Sequence, residues 1–297
     1  MDNKAFVELP QRGLLTVAGE DRRAFLQGLI SNDINKVDGT QAIYSGFLTA
    51  QGRYLHDFFV AGIGDVFYLD CERDRLEDLR RRLSLYRLRS KVTLAPATDM
   101  TVVALFGPGT VTALGLQEEA GSARALEGGV VYIDPRLVGL GARAIVPRDK
   151  IAQFAAMGFE PAPFEGYDAL RLSLGVPDGS RDLPVEKALL LENGFDELNG
   201  VDWKKGCYVG QELTARMKYR ALTRKRLTPV RIEGPAPQPG TAVMLDDQEA
   251  GEMRSTHGTL GLALLRLEMI EQAEKDGKPL TAGGARVTPI KPAWAAA

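Results

Sequence analysis

The most informative stretch of this chain reads Lys204-Lys205-Gly206-Cys207-Tyr208-Val209-Gly210-Gln211-Glu212-Leu213. It places a thiol between two glycines, behind two ammonium groups and ahead of an amide and a carboxylate. Nearby ammonium groups favour the thiolate, which is the form that attacks electrophiles and binds metals. Glycines allow backbone angles that are closed to other residues and let a ligand approach the chain. The stretch therefore predicts a functional Cys207, and the alternative is a cysteine that only fills the core.

Eight consecutive positions of this stretch, residues 205 to 212, resemble the signature of the YgfZ-type folate-binding proteins. Those proteins are relatives of the glycine-cleavage T-protein, an aminomethyltransferase, and act in iron–sulfur cluster assembly and repair. The resemblance extends to the block Leu14–Val37 and to the strand and turn from Tyr44 to Arg53. It implies an α+β fold in which two ferredoxin-like modules and a C-terminal β-barrel surround a central cavity.

An internal repeat of predicted elements, and a rise in proline and glycine content after about residue 226, also predict this organisation. Strand, helix, hairpin and helix follow one another twice, which is the order of a ferredoxin-like module. From Thr228 onward, prolines and glycines separate short apolar segments, as in a small β-barrel. The predicted elements are 13–17, 22–30, 56–71 and 73–88 in the first copy and 101–106, 111–117, 130–146 and 148–157 in the second. The predicted domains are 1–95, 96–225 and 226–297.

Composition excludes several classes of protein. A net charge of −2 over 297 residues gives no global basic field for nucleic acid, so a nucleic-acid partner is not expected. No apolar run approaches the roughly 18 residues of a membrane span, and the first residues lack the apolar core of a signal peptide. Cys71 and Cys207 form no paired motif, and with two histidines no metal site is expected. Unpaired cysteines suit a reducing compartment, and we expect a cytoplasmic protein.

The resemblance also implies roles for particular residues. Cys207, activated by Lys205, would be the reacting thiolate, and Asp57 would be the one carboxylate left of the aspartate pair that aminomethyltransferases carry. His56 stands at the other position of that pair, and Ser173 replaces the glutamate that holds the pterin ring. A hydroxyl cannot accept the two parallel hydrogen bonds that a carboxylate accepts. The expected ligands of a tetrahydrofolate are Gln27, Asn32, Asp33, Arg171, Tyr208, Gln211, Glu212, Arg216 and Arg220.

The segment Arg73–Arg89 predicts a helix with an apolar stripe and seven arginines. A charge run on a helix is usually a solvated face. The alternative is a surface for a partner or an anionic ligand, because arginine binds carboxylates and phosphates in a bidentate fashion.

Three functions remain open from the sequence. The first is a folate-binding protein that assists assembly or repair of iron–sulfur enzymes, with Cys207 acting on a cluster intermediate, a sulfur species or a folate-borne adduct. One cysteine cannot enclose a cluster, which usually takes four thiolates, so a cluster would have to be shared with a partner. The second is a tetrahydrofolate-dependent aminomethyltransferase, which is the activity expected if the chain is an enzyme. The third is a scaffold that binds assembly or client proteins only.

Overall fold

The computed structural model describes residues 3–295, which divide into two compact units. The first unit comprises the residues up to Leu48 together with Leu55–Tyr167 and Leu198–Val209. The second comprises Thr49–Tyr54, Asp168–Glu197 and the residues from Gly210 onward. The predicted α+β class with a C-terminal β-barrel is confirmed. The division into domains at residues 95 and 225 stays a prediction.

The first unit holds two sheets. A five-stranded sheet has the order β3-β4-β5-β2-β6, and a six-stranded sheet has the order β11-β1-β7-β10-β9-β8. The elements are β1 (Ala5–Glu8), β2 (Arg12–Ala18), α1 (Arg22–Gln27), β3 (Ile43–Leu48), β4 (Tyr54–Ile63), β5 (Val66–Glu72), α2 (Leu76–Arg87), β6 (Thr93–Pro96), β7 (Met100–Phe106), α3 (Thr110–Leu114), β8 (Ala123–Leu126), β9 (Gly129–Ile133), β10 (Ala142–Pro147), α4 (Gln153–Ala156) and β11 (Glu160–Pro161).

Alternation and helical spacing explain these elements. Along β2, buried residues alternate with partly exposed ones at most positions, as in a half-buried strand. In α2 the buried residues are Leu76, Leu79 and Leu83, spaced by three and four, so one face of the helix packs inward. The predicted helix from Arg73 begins later, because residues 73–75 form a 3-10 turn before α2.

A buried network of charges lies within the first unit. Asp70 on β5 accepts hydrogen bonds from Arg12 Nε (2.6 Å) and from Arg143 Nη2 (2.6 Å) on β10. The Arg143 guanidinium lies 4.1 Å from the centre of the Phe59 ring, and Arg136 donates to Asp134 at 2.8 Å. The network thus ties β2 and β5 of one sheet to β10 of the other.

The second unit is built on a closed barrel of the order β12-β15-β14-β13-β16-β17. Its interior is apolar, with Val230, Met253 and Val287 among the residues that are fully buried or nearly so. The elements are α5 (Phe164–Ser173), of which the part from Asp168 belongs to this unit, α6 (Gln211–Tyr219), β12 (Lys225–Glu233), β13 (Ala242–Leu245), β14 (Gln248–His257), β15 (Leu260–Arg266), α7 (Leu267–Asp276), β16 (Leu280–Ala282) and β17 (Ala285–Pro289).

Candidate functional site

The cysteine segment forms a loop that exposes the thiol. Gly206 has φ +90° and Gly210 has φ +82°, a region of backbone conformation that favours glycine. Cys207 is exposed, and a Cβ added at Gly206 would meet no atom within 4 Å. The space beside Gly206 is therefore open, and the second cysteine, Cys71, is buried.

Lys205 fixes this loop to the end of helix α1. Its ammonium donates to the carbonyl oxygens of Gln27 (2.5 Å) and Ile30 (2.6 Å). It also lies 4.9 Å from the centre of the Tyr208 ring, which is a favourable position for a cation. Helix C-termini carry carbonyls without helical partners and attract cations, so the lysine completes the end of α1.

Two further hydrogen bonds join the same segments. The Gln27 amide donates to the carbonyl of Lys205 at 3.0 Å, and the Val209 amide donates to the carbonyl of Gly28 at 3.1 Å. Gln27 also accepts from the Ile34 amide at 3.1 Å. The amide nitrogen and the amide oxygen of Gln27 thus both form hydrogen bonds with backbone groups of the protein.

Burial lowers the pKa of Lys205 to about 8, while Asp33 and Asp202 act in the opposite direction. The two carbonyl acceptors favour the protonated form. Two of the three N–H groups of the ammonium are directed at the backbone. The geometry of Lys205 is therefore that of a residue that positions the cysteine loop.

Asn32 and Asp33, in the N-terminal block, also form hydrogen bonds within the protein. The Asn32 amide donates to the carbonyls of Tyr44 (2.8 Å) and Asn199 (2.7 Å). The Asp33 carboxylate accepts from the Asn35 amide at 3.0 Å and so begins a 3-10 turn. These side chains, expected to contact a folate, bond with neighbouring protein groups.

Asp57 and His56 have different hydrogen-bond partners. The Asp57 carboxylate is buried and accepts a hydrogen bond from the Tyr44 hydroxyl at 2.9 Å. His56 Nε2 lies 3.0 Å from an Asp78 oxygen on α2, because neighbouring residues of a strand point to opposite faces. Burial, together with the nearby Arg75, lowers the pKa of His56 to about 4. The two residues, adjacent in sequence, therefore do not act as a pair.

The remaining expected ligands lie in the second unit, except Tyr208. Arg171 is buried and donates to Asp168 (2.6 Å) and Asp182 (2.7 Å), an arrangement that holds α5 in place. Ser173 is exposed, and its hydroxyl donates to the Leu170 carbonyl of its own helix at 2.7 Å.

Helix α6 carries the rest of these candidates. Gln211 is the first residue of the helix. On the exposed face of α6, the Glu212 carboxylate accepts a hydrogen bond from Arg216 Nη2 at 2.6 Å. Arg220 is exposed at the C-terminal end of α6. Arg216 and Arg220 are therefore accessible to an anion.

Some supporting residues were missed by sequence reasoning. The Ser31 hydroxyl donates to the Gly200 carbonyl at 2.6 Å, and the Asp202 amide donates to the Ser31 carbonyl at 3.0 Å. Asn199 has φ +57°, a conformation that asparagine tolerates better than most residues. An asparagine followed by glycine at positions 199 and 200 is the one sequence signal of this turn.

Two kinds of feature are absent from residues 3–295. No three side chains of the histidine, cysteine, aspartate and glutamate types come together as a metal site requires. None of the helices is both long enough and apolar enough to cross a membrane.

The comparisons with known proteins agree with this architecture. Residues 224–297 match the family described as the CAF17 C-terminal β-barrel domain. The iron–sulfur cluster assembly factor IBA57 of Mus musculus is 35% identical over 294 residues, covering 89% of this chain and 78% of the mouse protein. The Homo sapiens factor of the same name is 36% identical over 287 residues, covering 90% and 79%. This chain belongs to the IBA57 family of iron–sulfur cluster assembly factors.

The solved structures place the IBA57-type chain in a known fold. The aminomethyltransferase of the glycine cleavage system from Bartonella henselae superposes with a TM-score of 0.76, covering 97% of this chain and 85% of its own. The identity is 13%, so the likeness concerns the fold. The expected aminomethyltransferase-like fold and the expected link to iron–sulfur cluster assembly are confirmed at the level of fold and family.

The expectation of a cytoplasmic location is wrong. The mouse and human IBA57 proteins are both named as mitochondrial. These relatives point to a mitochondrial location, and unpaired cysteines indicate only a reducing environment without distinguishing between compartments.

Proposed function

We propose that this chain assists iron–sulfur cluster assembly by offering the Cys207 thiolate as one ligand of a cluster that it shares with a partner protein. The observation that supports the proposal most directly is an exposed thiol on a loop that Lys205 and Gln27 tie to helix α1. A ligand that a partner must reach has to be exposed, and a fixed loop reduces the entropy lost on binding.

In the proposed coordination, this chain contributes one thiolate ligand and undergoes no redox change. Cys207 loses its proton to solvent as its sulfur binds iron, with no change of oxidation state in the protein. A cluster usually takes four thiolates. Among residues 3–295 no three histidine, cysteine, aspartate or glutamate side chains come together as ligands, and in this proposal the partner supplies the remaining thiolates. Iron–sulfur assembly or client proteins are accordingly the proposed partners.

Tetrahydrofolate remains a proposed ligand, as the YgfZ-type resemblance implies, and the described side chains fit it in part. The side-chain amides of Gln27 and Asn32 donate hydrogen bonds to protein carbonyls, and the Arg171 guanidinium donates to two aspartates. Arg216 and Arg220 are exposed and can bind the carboxylates of a glutamate tail. The fit is therefore better for the glutamate tail of the folate than for its pterin ring.

Complementation tests the proposal. Cells depleted of their own IBA57-type factor receive the wild-type chain, Cys207→Ser or Cys71→Ala, and the activity of an iron–sulfur enzyme is measured per amount of that enzyme. We expect activity from wild type and Cys71→Ala and a loss with Cys207→Ser at equal protein level. Cys71 is the matched control because burial raises the pKa of its thiol to about 12. Full activity of Cys207→Ser would refute the role of the thiol.

A further inference from the structure

A group of exposed apolar side chains marks the C-terminal end of helix α2. Leu83 is the last buried residue of the helix. Beyond it, Leu85, Tyr86 and Leu88 are 68%, 41% and 89% exposed. We call these three residues, together with Arg87 and Arg89, the α2 tip. Single exposed leucines are ordinary, but three large apolar side chains exposed within four residues are typical of an interaction surface.

The backbone at the α2 tip is strained at Leu88. The Ser90 amide donates to the Arg87 carbonyl at 2.7 Å, which closes a four-residue turn. Leu88 has φ +43° and ψ −110°, close to the first central position of a type II′ turn, where glycine is normally found. A non-glycine residue in such a conformation costs about 1–3 kcal/mol. Folding alone would favour glycine here, because a leucine that is 89% exposed buries little apolar surface in return for the strain.

The charges at the α2 tip are positive. Earlier in the helix Arg80 pairs with Glu77, and Arg81 and Arg82 pair with Asp78. Arg87 and Arg89 are both exposed, and no ion pair among the described residues involves either of them. The arginines in the middle of the predicted basic helix are therefore ion-paired, and two accessible guanidinium groups remain at its end.

We propose that the α2 tip is a docking surface for a protein partner whose contact face is apolar at its centre and carries carboxylates at its rim. Leu85 and Leu88 would be the anchors, and Arg87 and Arg89 would pair with the carboxylates. Interface anchors are buried apolar groups, whereas rim charges set the rate of encounter and its dependence on salt.

A protein partner fits the surroundings better than an anionic membrane. Leu88 borders an open groove that is also lined by Glu20, Ser90 and Thr93. The Glu20 carboxylate is 77% exposed beside Lys91, with which it pairs at 2.7 Å. The Glu20–Lys91 pair carries no net charge that would attract an anionic bilayer, while a protein can place a hydrogen-bond donor beside the exposed carboxylate. This docking surface does not depend on the proposed role of Cys207.

Photo-cross-linking followed by binding measurements tests the docking surface. A photoreactive phenylalanine replaces Leu85 in the full chain in cells, and the same residue replaces the exposed Glu249 on β14 as the control. We expect one acidic protein to be cross-linked from position 85 and not from position 249, and also when Cys207→Ser is present. Absence of a cross-link above the control, or cross-linking of a basic protein, would overturn the proposal.

Affinity is then measured between that purified protein and variants of this chain. Leu88→Gly should weaken binding roughly tenfold or more, while its thermal midpoint rises because the turn strain is relieved. Arg87→Glu with Arg89→Glu should weaken binding and reduce its salt dependence, and the matched control is Arg231→Glu with Arg286→Glu on the barrel surface. Unchanged affinity in both sets of variants overturns the proposal. Binding of wild type to vesicles of phosphatidylcholine and phosphatidylglycerol, lost in Arg87→Glu with Arg89→Glu, would overturn it in favour of a membrane.

Discussion

The ammonium nitrogen of Lys205 lies 2.5 Å from the carbonyl oxygen of Gln27, at the end of helix α1 and 178 positions earlier in the chain. This contact, with its counterpart to Ile30, orients the loop that exposes Cys207. Lys205 can act mainly by positioning this loop or mainly by favouring the thiolate, and the two roles can be tested separately. The exposed neighbour Lys204 carries the same charge but does not make these two hydrogen bonds.

Lys205→Met should loosen the cysteine loop. The substitution leaves two carbonyls without their donor, which costs about 1–3 kcal/mol. Hydrogen exchange of the Val209 amide, which donates to Gly28, should become at least about tenfold faster. Lys204→Met should leave the exchange unchanged. Slower alkylation of Cys207 in both variants, with unchanged exchange, would instead indicate that the lysines act on the thiolate.

Asp70→Asn should destabilise the first unit strongly. The Asp70 carboxylate is fully buried between the guanidinium groups of Arg12 and Arg143. Removing its charge takes the nearest carboxylate away from both arginines, and breaking a buried pair in this way costs about 3–5 kcal/mol. Chemical denaturation checks the value, with Asp65→Asn as the control because the Asp65 side chain is 99% exposed. A loss under about 1 kcal/mol would mean that the two arginines find other partners.

Much of the fold could be predicted from the sequence because its elements have local signals. The hairpin of β4 and β5 turns at Gly64, which has φ +57°, and prolines and glycines after Thr228 separate the short strands of the barrel. The short strand β1 was missed, since its four residues pair with β7, about a hundred positions later, and carry no turn signal of their own.

The candidate site could be predicted only in part, because its contacts join distant backbone groups. The motif identified Cys207 as a candidate, and its exposure agrees with a functional thiol. The acceptors of Lys205 are carbonyls of Gln27 and Ile30, and a carbonyl has no residue type that a sequence could reveal. The roles of Gln27, Asn32 and Arg171 as folate ligands stay predictions, and the structure shows each of them bonded within the protein.

The stability of the protein should fall as the pH decreases from about 6.5 to about 4, through His56. Burial lowers the pKa of His56 to about 4, so the folded protein keeps it neutral where the unfolded chain binds a proton. The unfolded state therefore binds more protons in this window, and the free energy of unfolding falls by up to about 3 kcal/mol. Denaturation at several pH values checks this, with the slope reduced in His56→Gln. His257→Gln should keep the full slope, since His257 is exposed.

Tetrahydrofolate should bind weakly, and more tightly when it carries a longer glutamate tail. The amides of Gln27 and Asn32 are engaged, and Ser173 offers a hydroxyl in place of a carboxylate. The accessible groups are Arg216 and Arg220, which suit the tail and make binding dependent on salt. Calorimetry with tetrahydrofolates of different tail length checks this, with Arg220→Ala expected to weaken binding and Arg286→Ala, on the barrel, expected to leave it unchanged. Micromolar binding of tetrahydropteroate, which lacks the tail, would contradict the prediction and show that the ring is held directly.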